Sequence, residues 1–176
     1  MEVAALLVDG FQRVAEAVDR ALDGMPSGSA AAEPEPGSNS VAWLVWHLTR
    51  VQDDHLAAAF GVEQLWTAQG WADRFDLPFP ASDIGFGHDQ DQARQVRPHP
   101  ELLGAYHRAV LVRTLGLLAE LTPGALDRVV DTRWSPPVTL GVRLVSVLAD
   151  DLQHAGQAGY VRGLLERRGG GSWSAV

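Results

Sequence analysis

Residues 41–50 read VAWLVWHLTR, and nine of these ten residues suit a helix that is buried or half-buried. Asn39 or Ser40 can cap this helix and Phe60-Gly61 can end it, so we expect a helix of about twenty residues, buried on nearly all sides. The exception is His47. An unpaired polar group in a core costs about 1–3 kcal/mol, so this imidazole is either hydrogen-bonded within the core or the first ligand of a metal site.

Three other segments, residues 2–23, 101–121 and 139–167, have apolar residues at the three- and four-residue spacing of amphipathic helices. Together with the helix that contains residues 41–50, they predict an all-α fold. The expected architecture is a four-helix bundle with a long crossover and loop region between its second and third helices. We expect a single bundle domain over residues 1–168 and a frayed C-terminal tail over residues 169–176.

The remaining segments show no strand alternation, and no strand is predicted. Residues 70–100 are rich in Gly, Pro, Asp and aromatic residues, which is typical of either a lid or a surface loop. The anchors of such a loop would be Trp71, Phe75 and Phe79. Further on, residues 125–131 (ALDRVVD) suit a short helix or turn. Residues 132–140 (TRWSPPVTL) suit an extended connector, because paired prolines do not continue a helix.

The composition excludes several classes of function. The 176 residues include no cysteine and no lysine, so the chain has no thiolate ligand, no cysteine nucleophile and no P-loop or Schiff-base lysine. The formal charge of −8 argues against a nucleic-acid partner, since phosphate binding requires a basic surface. No signal peptide and no apolar run of about 18–20 residues is present, so we expect a cytoplasmic protein without a membrane partner.

The last predicted helix contains LADDLQHAGQAGYVRG, in which Asp150 and His154 are four residues apart and therefore share a face. Gln157 continues that face. A carboxylate and an imidazole at this spacing can bind a divalent cation together. Asp151 competes for the same role but falls nearer the apolar stripe, so Asp150 is preferred. The alternative is an ordinary surface ion pair between Asp150 and His154.

A second helix that carries His47 makes a metal site in the bundle core a reasonable hypothesis. Three protein ligands leave a position for water or substrate, which is typical of catalytic sites. Asp54 lies two turns beyond His47 and could be a fourth ligand, an orienting group or a solvated carboxylate. The surrounding QDDH, residues 52–55, otherwise suits an exposed helix end.

Several other polar and aromatic residues could each have either of two roles. Trp43 and the other tryptophans can fill the core or wall a pocket. Arg143 and Arg162 flank the ligand face of the last helix, where either could hold a substrate carboxylate or form a surface salt bridge. We expect structural roles for the three histidines that lack ligand spacing, which are His88, His99 and His107.

The segments SNSVAWLVWHLTRVQDDHLA and DDLQHAGQAGYVRGL resemble the DinB-like superfamily of metal-binding four-helix bundles, in the branch that includes the N-terminal domain of mycothiol-dependent maleylpyruvate isomerase. The resemblance implies that His47, Asp150 and His154 are metal ligands, followed by a Gly-Gln pair at Gly156-Gln157. The aspartate departs from the more common histidine or glutamate, and the isomerase's second domain has no counterpart here.

The same resemblance implies a divalent metal, most often zinc, with nickel also known and iron compatible with the ligand types. It also implies a thiol cosubstrate such as mycothiol or bacillithiol and a small electrophilic substrate, hence an S-transferase or isomerase. A metal-dependent hydrolase, or a bundle that binds metal or a small molecule without turnover, remains an alternative. Related bundles often dimerise, which implies a homodimer.

Overall fold

The computed structural model describes residues 2–169 and Trp173, and its fold is mostly helical. In the described residues, four long helices make up the bundle, and its connections contain three short α-helices, two 3-10 helices (Ser29–Ala31 and Pro123–Asp127) and a two-stranded hairpin. The elements are α1 (Val3–Leu22), α2 (Val41–Phe60), α3 (Leu65–Ala68), α4 (Trp71–Phe75), α5 (Gln90–Ala93), α6 (Pro100–Ala119), β1 (Val129–Asp131), β2 (Val138–Thr139) and α7 (Leu140–Gly169). Apart from Gly169 and Trp173, the tail predicted to fray lies outside the described residues.

The four long helices confirm the predicted bundle, and their directions explain the long crossover. Helix α2 packs against α7 and α6, and α1 packs against the same two helices. Thr49 contacts His107 and Gln52 contacts Thr114, so α2 and α6 run parallel. Parallel neighbours require the chain to return along the bundle between them, and residues 61–99 make that return.

Helix α2 is buried on nearly all sides, as its sequence predicts. Ser40 caps it by accepting a hydrogen bond from the Trp43 amide at 3.2 Å, and Gly61 ends it in a left-handed conformation. The bundle covers part of the helix and the crossover covers the rest. A helix enclosed in this way places the polar side chains of its middle turns inside the protein.

Two buried charges on α2 attach the crossover to the bundle. The guanidinium of Arg50 is fully buried and donates to the carbonyls of Ala81 and Asp83. The carboxylate of Asp53 accepts the backbone amides of Leu65 and Trp66 at 3.0 and 2.8 Å, at the start of α3. The expectation of an exposed helix end at residues 52–55 is therefore wrong: the crossover folds over Asp53, and Gln52 is buried against α6, where it donates to Thr114.

The crossover and the last connection contain more regular structure than the sequence predicts. Helices α4 and α5 interrupt the irregular region, with Trp71 and Phe75 buried and Phe79 partly buried against the core. The prediction of no strands is also wrong, since β1 and β2 pair antiparallel and join Val129 to Thr139. These strands are two or three residues long, too short for an alternation pattern to show.

One helix of the described residues, α6, is long and apolar enough to cross a membrane by length and composition alone. In the structure, its residues Leu103, Tyr106 and Val110 are buried in the bundle core. The apolar character of α6 is thus used in packing against α1 and α2.

Candidate metal centre

His47, Asp150 and His154 come together in the groove between α2 and α7. One ligand atom from each, an imidazole nitrogen or a carboxylate oxygen, lies within 4.8 Å of the others. The two helices run antiparallel, since His47 faces Asp150 and His154 while the later Asp54 and His55 share a pocket with Arg143. The pairing of two distant segments that the sequence suggested is therefore present in the fold.

A main-chain group of the crossover orients His47. Its Nδ1 lies 2.5 Å from the carbonyl oxygen of Ile84, and because a carbonyl only accepts, Nδ1 carries the proton. The lone pair is then on Nε2. Gly85 packs so closely on the ring that a Cβ there would lie 2.9 Å from His47 Nδ1.

His154 is oriented in the same way by a side chain of its own helix. Its Nδ1 donates to Gln157 Oε1 at 2.7 Å, and its Nε2 lies 3.5 Å from Asp150 Oδ1. Both imidazoles therefore have Nδ1 bound to an oxygen acceptor, which leaves Nε2 for the centre of the cluster. Hydrogen bonds of this kind fix the tautomer of metal-binding histidines in proteins.

The two neighbouring aspartates have opposite surroundings. Asp150 is half-buried beside His154, and its Oδ2 is buried with no hydrogen-bond partner among the described residues. Asp151 is fully buried in the core, and neither of its carboxylate oxygens has a partner there. An unpaired carboxylate oxygen next to two oriented imidazoles fits a cation, so the geometry favours Asp150 over Asp151 as the carboxylate of the cluster.

The charges of the cluster depend on one another. Burial lowers the pKa of His47. The hydrogen bond to Asp150 raises the pKa of His154. Burial pushes the pKa of Asp150 upwards, but the hydrogen bond from His154 and the nearby imidazoles outweigh it, so the net shift is downwards. A neutral His47 and an ionised Asp150 are the protonation states that a metal requires, whereas His154 must give up the Nε2 proton that Asp150 favours before Nε2 can bind an ion.

Aromatic side chains close one side of the cluster. Trp43 stacks on His47 with ring centres 4.6 Å apart and meets His154 edge-on at 6.1 Å. The indole N–H of Trp43 donates to His88 Nδ1 at 3.2 Å, so His88 carries its proton on Nε2 and donates to Asp83. His88 thus supports the wall of the site. The structural role expected for His88 stays a prediction, and its place beside the cluster was not predicted.

The other predicted site residues lie outside the cluster. The carboxylate of Asp54 forms hydrogen bonds with His55 Nδ1 at 2.9 Å and Gln64 Nε2 at 2.7 Å. It is therefore not a fourth member of the cluster. Arg143 pairs with Asp131 at 2.9 Å. Arg162 donates to the carbonyls of Arg20 and Asp23 at the end of α1, and it also forms a salt bridge with Glu166 at 3.0 Å, which is partly buried.

The residues that sequence reasoning missed are Ile84, Gly85 and His88. The carbonyl of Ile84 has no sequence signal, because every residue type supplies one. The only local sign is the pair of glycines in IGFGHD, residues 84–89, both with positive φ. Two surface grooves, of about 640 and 550 Å³, contain no residue of the cluster.

Comparisons with known proteins agree with this fold and site. A family model described as mycothiol-S-transferase matches residues 6–167. No curated protein sequence matches the chain. A crystal structure of a conserved protein from Enterococcus faecalis is 34% identical, with a TM-score of 0.87, and the match covers 94% of this chain and 98% of that one. Because the family model spans nearly the whole bundle, the chain belongs to the mycothiol-S-transferase family, a DinB-like family.

Proposed function

We propose that His47, Asp150 and His154 bind a divalent metal ion and that the protein is a metal-dependent thiol S-transferase acting on small electrophiles, with a mycothiol-type thiol as cosubstrate. The observation that supports this most directly is the convergence of the three ligand atoms within 4.8 Å, with both imidazoles oriented through Nδ1. The family match supports the thiol chemistry.

The donor set indicates which metals fit. Two imidazole nitrogens and one carboxylate oxygen suit zinc, and three protein ligands leave a fourth position for a substrate atom. Nickel and iron accept the same ligand types. Zinc is the metal we propose, since its tetrahedral preference matches three protein ligands plus one exchangeable position.

The chain itself has no cysteine, so the reacting sulfur must belong to a second molecule. A bound divalent ion would lower the pKa of that thiol and hold it as a thiolate. The protein's own part is orientation and shielding: Ile84 and Gln157 hold the two imidazoles, and Trp43 covers one side of the cluster. The sulfur of a thiol ionised in this way, its proton released to solvent, would form the bond to the electrophile, and the leaving group would take the electron pair of the bond that breaks.

The direct test measures metal content and turnover on the same preparation. Protein purified without an affinity tag should contain about one zinc per chain, the capacity of a single three-ligand site. It should also consume mycothiol in the presence of an activated chlorinated aromatic. His47→Ala should lose both properties, while His99→Ala, in an exposed histidine at the start of α6, should keep both.

Each failure has a distinct meaning. Metal retained by His47→Ala after dialysis would refute the ligand assignment. Metal bound at the cluster with no thiol consumption across a panel of electrophiles would favour a bundle that binds without turnover. Hydrolysis of esters or amides without a thiol would favour a metal-dependent hydrolase.

We further propose a homodimer formed through the outer face of α7. Val142, Val145 and Leu152 are exposed there, and Gly156 and Gly159 have open space around them. In an antiparallel pair of α7 helices with a two-fold axis at Leu152, Val145 of one copy would lie opposite Gly159 of the other. A bulky residue facing a glycine permits close helix packing. A cytoplasmic location, where free thiols stay reduced, is part of the same proposal.

A further inference from the structure

A polar cavity of about 340 Å³ lies beside the proposed metal centre, between the second half of α2, the β1–β2 hairpin and the start of α7. Asp54 follows His47 by seven residues on α2, and Arg143 precedes Asp150 by seven on α7. Seven residues are two helical turns, so the cavity lies roughly 10 Å along the same groove. The polar residues that line it are Asp54, His55, Asp131, Thr132, Arg133 and Arg143.

On α2, the part of the cavity lining nearest to the metal centre is Asp54 and His55, whose side chains contact each other at 2.9 Å between Asp54 Oδ2 and His55 Nδ1. On α7 the lining residue is Arg143, two turns before Asp150. Because the cluster and the cavity lie between the same two helices, a ligand with its reacting atom at the cluster could extend along the groove into this cavity.

The charges that line the cavity cancel. The carboxylate of Asp131 accepts hydrogen bonds from Nε and one terminal nitrogen of Arg133 at 3.0 and 2.9 Å. It also accepts a hydrogen bond from a terminal nitrogen of Arg143 at 2.9 Å. The Arg133 hydrogen bonds hold the pKa of Asp131 well below its usual range, and the hydrogen bond from His55 lowers the pKa of Asp54. Two ionised carboxylates thus face two guanidinium groups, and the lining has no net charge with His55 neutral.

This arrangement disfavours a carboxylate ligand. The two-nitrogen edge with which Arg133 would bind a carboxylate is already filled by Asp131. The carboxylates of Asp54 and Asp131 would repel an added anion and so oppose its attraction to the arginines. Arg143 has one of its terminal nitrogens bound to Asp131, so it does not present a free charge for a substrate carboxylate.

The same lining suits hydroxyl groups. A hydroxyl both donates and accepts, so a polyol can accept from the remaining guanidinium N–H groups and donate to the remaining carboxylate lone pairs. The volume lies at the lower end of the range of about 300–1,000 Å³ for small-molecule sites, which fits one ring-sized group. We infer that this cavity binds the uncharged, hydroxyl-rich end of the thiol cosubstrate while its sulfur occupies the metal centre. This inference rests on the proposed function.

Binding of two probes tests the cavity without requiring turnover. By titration calorimetry or ligand-observed NMR, myo-inositol should bind the wild-type protein and succinate should not. Arg133→Met, at an exposed side chain, should weaken myo-inositol about three- to tenfold, the effect of losing one hydrogen bond. The control Arg13→Met removes another exposed arginine, which is paired with Asp9 on α1, and should leave both results unchanged.

A change of charge gives the sharper test. Asp131→Asn keeps the shape and the hydrogen bond to the Arg133 amide but leaves the two arginines unbalanced. We expect this variant to bind succinate and to lose affinity for myo-inositol. Succinate binding to the wild type as strong as that of myo-inositol, no myo-inositol binding at all, or an unchanged preference in Asp131→Asn would each overturn the inference.

Kinetics separates this inference from the proposed function. With a chlorinated aromatic as electrophile, KM for mycothiol should rise in Arg133→Met, while KM for N-acetylcysteine, which lacks the polyol, should not change. Equal effects on both thiols would refute the cavity assignment and leave the transferase activity intact. Absence of turnover with every thiol would refute the transferase activity, and the probe titrations would still decide the cavity.

Discussion

At the scale of single residues, the adjacent carboxylates Asp150 and Asp151 show how position on one helix decides chemistry. A rotation of about 100° separates them. One side chain lies at the α2–α7 groove beside His154, and the other lies in the core without a hydrogen-bond partner among the described residues. The sequence placed both near the correct face, and only the packing of α7 distinguishes them.

The two asparagine variants of these residues form a matched pair. Asp150→Asn replaces a charged oxygen ligand by a neutral one and should lower zinc affinity by about 10- to 100-fold or more, the range seen when groups that support metal sites are altered. Asp151→Asn should leave zinc affinity close to that of the wild type. Competition with a chromophoric chelator measures both.

The opposite ranking of the two variants would show that Asp151 rotates into the groove to bind the ion. Equal affinities in all three proteins would show that neither carboxylate is a ligand.

His107 provides a test of pH-dependent stability that is separate from the metal centre. The hydroxyl of Thr49 donates to the Val45 carbonyl, so it accepts from His107 Nδ1, and Nε2 is buried without a partner among the described residues. Burial lowers the pKa of His107 from 6.5 to about 4. Protonation would place an unpaired N–H in the core.

Between pH 6.5 and about 4 the unfolded chain therefore binds more protons at this residue than the folded one, and stability falls as the pH falls. The loss should reach about 3 kcal/mol at pH 4, at about 1.4 kcal/mol per unit of pKa difference. Urea unfolding at several pH values tests this. The unfolding free energy should fall less steeply with falling pH in His107→Asn, which retains a donor for Thr49. His99→Asn, at an exposed helix cap, should keep the wild-type slope; an unchanged slope in His107→Asn would contradict the assignment.

At the scale of elements, the crossover is part of the site because its loop at residues 83–88 contacts the His47 ring. Gly85 has a φ of +86°, and a Cβ there would lie 2.8 Å from the Trp46 ring and 2.9 Å from His47 Nδ1. Gly87 in the same loop has a φ of +78° with nothing within 4 Å of a Cβ. The two glycines thus share the left-handed conformation and differ in available space.

Gly85→Ala should therefore displace the loop or the His47 ring and lower both stability and zinc affinity. Gly87→Ala should carry only the conformational cost, about 1 kcal/mol of stability, and leave zinc affinity unchanged. Thermal unfolding and chelator competition on the two variants separate the effects. Equal zinc affinities would show that the contact of Gly85 with His47 does not orient the ligand.

The sequence predicts the long elements well and the short ones poorly. Ser40 and Gly61 bound α2 as predicted, because caps and apolar spacing are local properties. Helix α4 and the two strands are too short to show a periodicity of their own, and α5 begins with a local capping box between Asp89 and Gln92 that was overlooked. The burial of Asp53 and Gln52 is likewise non-local: backbone amides of the crossover bind the carboxylate of Asp53, and Gln52 donates to Thr114 of α6.

At the scale of the whole molecule, the bundle and its family could be predicted from two segments, while the arrangement of helices could not. The resemblance around His47 and His154 predicted the ligand set, and the fold brings those residues together. The parallel packing of α2 on α6, by contrast, follows from contacts such as Thr49 with His107. The single domain over residues 1–168 stays a prediction.

The proposed dimer can be tested by placing a charge on its interface. Val145→Arg introduces a guanidinium opposite the same face of a second copy, and light scattering should show the mass of a monomer where the wild type shows a dimer. Val112→Arg, at a similarly exposed valine on α6, should remain dimeric. A wild-type mass of about 19 kDa would refute the dimer.

The hydrogen bond from His47 to the carbonyl of Ile84 also bears on how this protein can change over evolutionary time. A main-chain carbonyl is present whichever side chain occupies the position. The residue at position 84 can therefore be substituted without loss of the hydrogen bond that orients the imidazole. Phe86, which is exposed between the two glycines, has the same freedom. A library randomised at positions 84 and 86 should therefore keep a high fraction of metal-competent members. The loop can acquire new substrate preferences while the histidine it supports stays in place.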